Sequence, residues 1–126
     1  MESGKPEPKG LLRFTHTIRY SISGFKYAWK YEESFRQEMV LSVLFTPLAF
    51  FVGQSSLEII ALISSLCFLL IVELLNSSIE AVVDRVGLEK HELSKRAKDM
   101  ASTAVMLTLF MAIGIWATIA IKNFLL

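Results

Sequence analysis

The sequence predicts an all-α membrane protein, with an amphipathic helix in the membrane interface followed by three transmembrane helices. Three observations carry this expectation. Of the 126 residues 53% are hydrophobic, and the mean hydropathy of +0.50 is high for a soluble domain of this size. The stretch from Met100 to Ile121 holds no charged residue. The 13 Lys and Arg residues cluster: seven from Lys5 to Arg36, five from Arg85 to Lys98, then Lys122. These basic clusters flank apolar runs, so they suit a membrane protein and argue against nucleic acid as a partner, which needs a soluble basic surface.

Residues 1–10, "MESGKPEPKG", carry two prolines, two glycines and mixed charge. They read as a disordered tail and, lacking an apolar core, not as a signal peptide. Residues 11–126 read as a single domain. Within 11–30, Leu11, Phe14, Ile18, Ile22, Phe25 and Trp29 fall on one helical face, with Arg13, Arg19, Lys26 and Lys30 at its sides. That pattern suits a helix lying in the interface, and the neighbouring apolar runs favour this over a soluble core helix. The first span is expected at about 34–52, since the apolar run Met39 to Val52 must recruit part of "ESFRQE" to cross about 30 Å of hydrocarbon at about 1.5 Å per residue. Pro47 falls inside it and is a candidate bend. "GQSS" (Gly53 to Ser56) makes the turn to the second span, about 57–86. The third span is expected at about 98–121. Lys and Arg are absent from the "GQSS" turn but abundant in the N-terminal flank and in the 84–99 connection, which places both of those, and the N-terminus, on the cytoplasmic side. Cys67 is the sole cysteine, so no intramolecular disulfide is possible, and it reads as a small buried or lipid-facing side chain.

"VELLNSSIEAVVDR" (72–85) breaks the apolar pattern of the second span. On a continuous helix Asn76 sits at about −60°, Glu80 at about −20° and Asp84 at about +20° relative to Glu73, with Ser77 at about +40°. These residues form one polar stripe, with Glu73 deepest and Glu80 about 10 Å nearer the cytoplasm. Ionisable groups within a span are costly, which points to function rather than stability. The competing reading is a set of interhelical hydrogen bonds. Asp84, at the helix end, reads as a solvated charge. Glu32, Glu33, Glu38, Glu92 and Asp99 supply further acids near the cytoplasmic face. Paired carboxylates can hold Mg²⁺ together with phosphate oxygens, and a deeper one can act as general base toward a hydroxyl. The combination suits phosphoryl transfer. A chain with so few helices cannot enclose the stripe alone, so oligomerisation is expected. No G-x-x-x-x-G-K-[ST] or G-x-G-x-x-G loop is present, and "HELSK" (91–95) has Lys95 where a zinc protease needs its second histidine.

"ESFRQE" (33–38), "VELLNSSIEAVVDR" (72–85) and "HELSKRAKDMAS" (91–102) resemble the signature blocks of the prokaryotic diacylglycerol kinase family, in order, from about Leu12 to Trp116. The resemblance implies a multi-pass kinase of the bacterial inner (cytoplasmic) membrane. It implies a homotrimer with composite active sites, which transfers the γ-phosphoryl group of MgATP to diacylglycerol to give phosphatidic acid. Carried over residue by residue, it makes Glu73 the catalytic base and Glu32 and Glu80 the metal ligands. Arg13, Tyr20, Glu32, Asn76, Glu80, Glu89, Lys90, His91, Lys98 and Asp99 match nucleotide-binding positions. Arg13, Ser34, Phe35, Arg36, Gln37, Glu38, Glu73, Ser102 and Trp116 match positions on the lipid-substrate side. Lys90 and Lys95 depart from the tyrosine and glycine of the family's pattern. A related branch phosphorylates undecaprenol and remains the alternative acceptor reading. From other classes, a small proton-coupled transporter using Glu73 would leave Glu32, Glu80 and the A-K-D element without a task, and a non-enzymatic membrane assembly protein with a polar helix interface is a third reading.

Overall fold

The computed structural model describes residue 6 and residues 9–126. Most of the tail expected over residues 1–10 lies outside the described residues. Among them the chain is wholly helical, with no strand: α1 Leu11–Tyr31, α2 Glu33–Val52, α3 Ser56–Val86 and α4 Glu92–Leu125. The last three are long and apolar enough to cross a membrane.

Local chemistry explains the boundaries. Glu32 adopts an extended conformation between α1 and α2 (φ −112°, ψ 102°). The turn is closed by the Arg36 guanidinium, whose Nη1 donates to the carbonyls of Trp29 at 2.8 Å and Lys30 at 3.1 Å. Those are carbonyls at the end of α1, where cationic donors are favoured. Pro47 does not break α2, which continues to Val52. The Ser55 hydroxyl caps α3 by accepting from Glu58 N at 3.2 Å, and Glu58 Oε2 reaches back to accept from Gln54 N at 2.8 Å, a close relative of the capping box. α4 starts six residues before the expected span. The imidazole of His91 accepts from Leu93 N at 3.1 Å, and the ion pairs Arg96–Glu92 (2.7 Å) and Lys95–Asp99 (2.6 Å) lie one turn apart along the first turns. These charged turns form a good helix in water, so the helix outruns its apolar segment.

The three long helices run up, down and up. The order follows from contacts at their ends. At one end Asn123 Nδ2 donates to Val52 O at 2.8 Å and to Glu58 Oε2 at 2.9 Å, and Lys122 pairs with Glu58 at 2.6 Å. The end of α2, the start of α3 and the end of α4 therefore meet there. At the other end Lys98 of α4 pairs with Asp84 of α3 at 2.7 Å. α3 presents Leu62, Ser65, Leu69, Glu73 and Ser77 inward, almost strictly every fourth residue. α4 answers with Ala101, Thr108, Ala112 and Ile119, mostly small side chains that let the backbones approach closely. A compact apolar cluster of Ala49, Val52, Leu62 and Ile119 sits toward the Gly53 turn.

Most large apolar side chains point outward, among them Phe50, Phe51, Leu107 and Phe110. Cys67 is also exposed. In water such a surface would drive aggregation, whereas against acyl chains it is the expected exterior.

Gly53 is buried in the turn, where an added Cβ would lie 2.8 Å from Ile59 Cγ1 and 3.2 Å from Ala49 O. Gly53→Ala should destabilise the fold by about 1–3 kcal/mol through overpacking. Thermal unfolding in detergent micelles checks this, and an unchanged midpoint would show that the turn can relax.

Candidate functional site

The inward row of α3 includes Glu73, which is only 4% exposed. Residues 59–72 hold no charge, so the same periodicity that buries Leu62 and Leu69 carries Glu73 inward. Three other carboxylates lie within electrostatic reach. Glu80, two turns along α3, and Glu32, at the α1–α2 junction, both act on Glu73, and Glu73 in turn acts on Glu38 of α2. Glu32 owes its place to the extended residue that separates α1 from α2. Glu38 lies just over one turn into α2.

Asn76 lies between Glu73 and Glu80, and its Nδ2 donates to Glu80 Oε1 over 3.5 Å, a weak contact. Its Oδ1 is buried without a protein partner, as are Glu38 Oε2 and Ser77 Oγ. Unpartnered buried polar atoms are costly, so their collection around Glu73 is a feature a polar ligand would satisfy. Among the described residues no three His, Cys, Asp or Glu side chains form a ready-made metal cage. The donors nonetheless fit Mg²⁺, which takes one or two carboxylates with phosphate oxygens and retained waters, not an all-protein cage. Glu32 and Glu80 supply hard oxygens, and the free Asn76 Oδ1 is of the same type.

A second group forms at the end of the bundle where α3 hands over to α4. Glu89, Lys90, His91, Lys98 and Asp99 all line one cavity of about 730 Å³, with Asp84 and Lys95 among its other walls. Two ion pairs lie within it: Lys98 Nζ donates to Asp84 Oδ1 at 2.7 Å, and Lys95 Nζ to Asp99 Oδ2 at 2.6 Å. Lys98 also lies within electrostatic reach of Glu80, which links this cavity to the carboxylate row. Asp84, expected as a solvated charge, is half exposed and holds Lys98 across two helices. The sequence offered no signal for that pair, because its members are 14 residues apart on different helices. Lys95 and Asp99 lie four residues apart, so their pairing along one helix face is legible in the sequence.

A third group is a cavity of about 210 Å³ between α2, α3 and α4, lined by Glu38 and Trp116 with mainly apolar neighbours. The remaining candidates are dispersed in the single chain. Phe35 is a core residue at 1% exposure, packed edge-on to Phe25 with ring centroids 5.6 Å apart. Arg36 ties the end of α1. Gln37 reaches only Glu33 of its own helix, at 3.4 Å. Ser34 and Ser102 are exposed. Arg13 and Tyr20 lie on the outer surface of α1, where Tyr20 stacks edge-on with His16. Among the described residues, no side-chain hydrogen bond or ion pair joins any of these to Glu32, Glu38, Glu73 or Glu80.

The sequence matches the family model for prokaryotic diacylglycerol kinase over residues 19–120. It is 44% identical to a diacylglycerol kinase of Haemophilus influenzae over 110 residues, covering 87% of this chain and 93% of that one. It is 43% identical to the diacylglycerol kinase of Escherichia coli K12 over 115 residues, 91% and 94% of the two chains. The identity to a diacylglycerol kinase of Pseudomonas aeruginosa is 47% over 110 residues, 87% and 89% of the two chains.

Proposed function

The chain belongs to the prokaryotic diacylglycerol kinase family, and from that premise we propose that it is a Mg²⁺-dependent ATP:diacylglycerol phosphotransferase. The observation that carries this reading is the buried Glu73 with Glu32 and Glu80 within electrostatic reach of it. Glu73 accepts the proton of the free glycerol hydroxyl as that oxygen attacks the γ-phosphorus of ATP. The bond from the γ-phosphorus to the bridging oxygen breaks, ADP leaves, and phosphatidic acid is formed. Burial keeps bulk water, a competing acceptor, away from Glu73.

Glu32 and Glu80 would hold Mg²⁺, which when bound neutralises phosphate charge. Asn76 lies between base and metal ligands, where its amide can orient the transferred group. Lys98 exchanges its Asp84 partner for phosphate oxygens, acting as a point charge. Glu89, Lys90, His91 and Asp99 form the walls of the nucleotide cavity.

The domain reading extends from residue 11 to residue 126. α1 lies in the interface and keeps the acceptor hydroxyl near headgroup depth, in a chain that sits in the bacterial inner membrane with its N-terminus cytoplasmic. Three copies assemble, so that Arg13 and Tyr20 of one α1 complete the site of another. The dispersal of these residues within a single chain supports that arrangement.

The test is transfer of labelled phosphate from ATP in mixed micelles. Diacylglycerol and undecaprenol are compared as acceptors, with Mg²⁺ present or chelated. Mg²⁺-dependent labelling of diacylglycerol is the expected result. No labelled lipid would sink the kinase reading, and preference for undecaprenol would move the chain to the other acceptor.

A further inference from the structure

The buried row of α3 contains a polar group that the transfer chemistry leaves unused. Ser65 is 2% exposed, deep in the apolar half of the bundle. Its hydroxyl donates to Leu62 O at 2.6 Å, which leaves the oxygen free to accept. Trp116 Nε1 of α4 donates to it at 3.1 Å. The same indole is gripped from α2 by Phe45, edge-to-face, with ring centroids 5.4 Å apart and planes at 89°. Three helices therefore fix one aromatic ring. Two fixed directions, a hydrogen bond and a T-shaped contact, leave the indole little freedom to rotate.

That ring closes one end of the cavity between α2, α3 and α4. Glu38 and Ser42 line the cavity nearer Glu73, and Glu38 Oε2 and Ser42 Oγ are both buried without a protein partner. Phe45, seven residues and about 10 Å along α2 from Glu38, and Trp116 of α4 form its other end. Leu69, on the cavity wall, lies one turn from Glu73 on the same inward face. The cavity wall is almost wholly apolar, with Glu38 marking the end toward the candidate base, which suits the first part of an acyl chain whose glycerol end lies toward Glu73.

We infer that Ser65 is a positioning residue for the lipid acceptor: with Phe45 it holds the Trp116 indole against the first part of an acyl chain. The hydroxyl end of the acceptor is thereby kept at the level of Glu38 and Glu73. The inference rests on the diacylglycerol reading and adds a residue, Ser65, that never touches the lipid. Because the chain leaves one apolar medium for another, the gain comes from packing and orientation, not from escape from water. A mobile indole loses that gain.

The test uses the full chain in mixed micelles. Ser65→Ala leaves the Trp116 N–H buried without an acceptor, and the KM for diacylglycerol should rise about two- to tenfold, the loss expected for one hydrogen bond. The KM for MgATP should stay unchanged, and Ser65→Thr, which keeps the hydroxyl, should restore the diacylglycerol KM. A second readout needs no turnover. In a Trp29→Phe background, Trp116 is the only tryptophan. Its emission should be quenched by diacylglycerol with brominated acyl chains, and unlabelled diacylglycerol, but not phosphatidylcholine, should relieve the quenching. Ser65→Ala should weaken that competition.

Equal changes in both KM values, an unchanged diacylglycerol KM, or quenching that phosphatidylcholine relieves equally would overturn the inference. If Ser65→Ala does not fold, Phe45→Leu with the hydroxyl intact must give the same selective KM shift, and its absence counts against the inference. If the wild-type chain transfers no phosphate to diacylglycerol, the kinase reading falls, and the quenching competition still decides whether the ring faces the lipid.

Discussion

Glu73→Gln is expected to lower kcat by about 10²–10⁴-fold, the range for loss of a general acid or base. The amide is nearly the same size and keeps the local packing, but it cannot take a proton from the acceptor hydroxyl. Nucleotide affinity, measured by calorimetry or by displacement of a fluorescent ATP analogue, should hardly change, because Glu73 lies off the cavity formed by Glu89, His91 and Lys98. Glu73→Asp tests position separately from charge, since withdrawing the carboxylate by one methylene costs up to about 10² in rate. Near-normal turnover in Glu73→Gln would remove it from the role of base. The carboxylate row would then be an interhelical hydrogen-bonding device.

Glu80→Gln should leave a different signature. Its expected effect is a rise in the apparent KM for MgATP of about ten- to hundredfold, the value of a hydrogen bond or ligand contact to a charged group. The midpoint of activity against free Mg²⁺ should move upward with it, and the KM for diacylglycerol should not. The physical ground is the placing of Glu80. It is half-buried two turns from Glu73, touches Asn76, and lies within electrostatic reach of Lys98. Removing its charge weakens attraction for the metal and strips Lys98 of a nearby counter-charge, while Asp84 still holds the lysine at 2.7 Å. An unchanged Mg²⁺ dependence would remove Glu80 from the metal ligands.

The two predictions differ because burial differs along one helix. A stripe at Glu73, Asn76, Glu80 and Asp84 is legible in the sequence, since it follows from 3.6 residues per turn and nothing else. Its grading is not. Glu73 is 4% exposed while Asp84 has a half-exposed side chain, and that gradient depends on how far α2 and α4 cover each turn of α3. The family resemblance also puts Arg36 and Phe35 on the lipid side. In the single chain both are spent on the α1–α2 corner, Arg36 on the carbonyls of Trp29 and Lys30 and Phe35 against Phe25. A corner residue and a substrate contact can share the same motif, and spacing along the chain does not tell them apart.

By itself the sequence determined the all-helical class, the three apolar helices and the helical face that carries the carboxylates. These rest on local quantities: side-chain polarity, its period and its runs. It also placed Glu89, Lys90, His91, Lys98 and Asp99 in one short stretch, which the handover from α3 to α4 keeps together. Only the tertiary structure decided which distant groups meet: Lys98 with Asp84, Asn123 with Val52 and Glu58, Trp116 with Ser65. Each of these pairs joins different helices, 14 to 71 residues apart in sequence. Their meeting depends on the rotation of each helix about its axis and on its vertical register. Both are fixed by packing of the small residues Ala101, Thr108 and Ala112 against α3, a property of the assembled bundle and of no single segment.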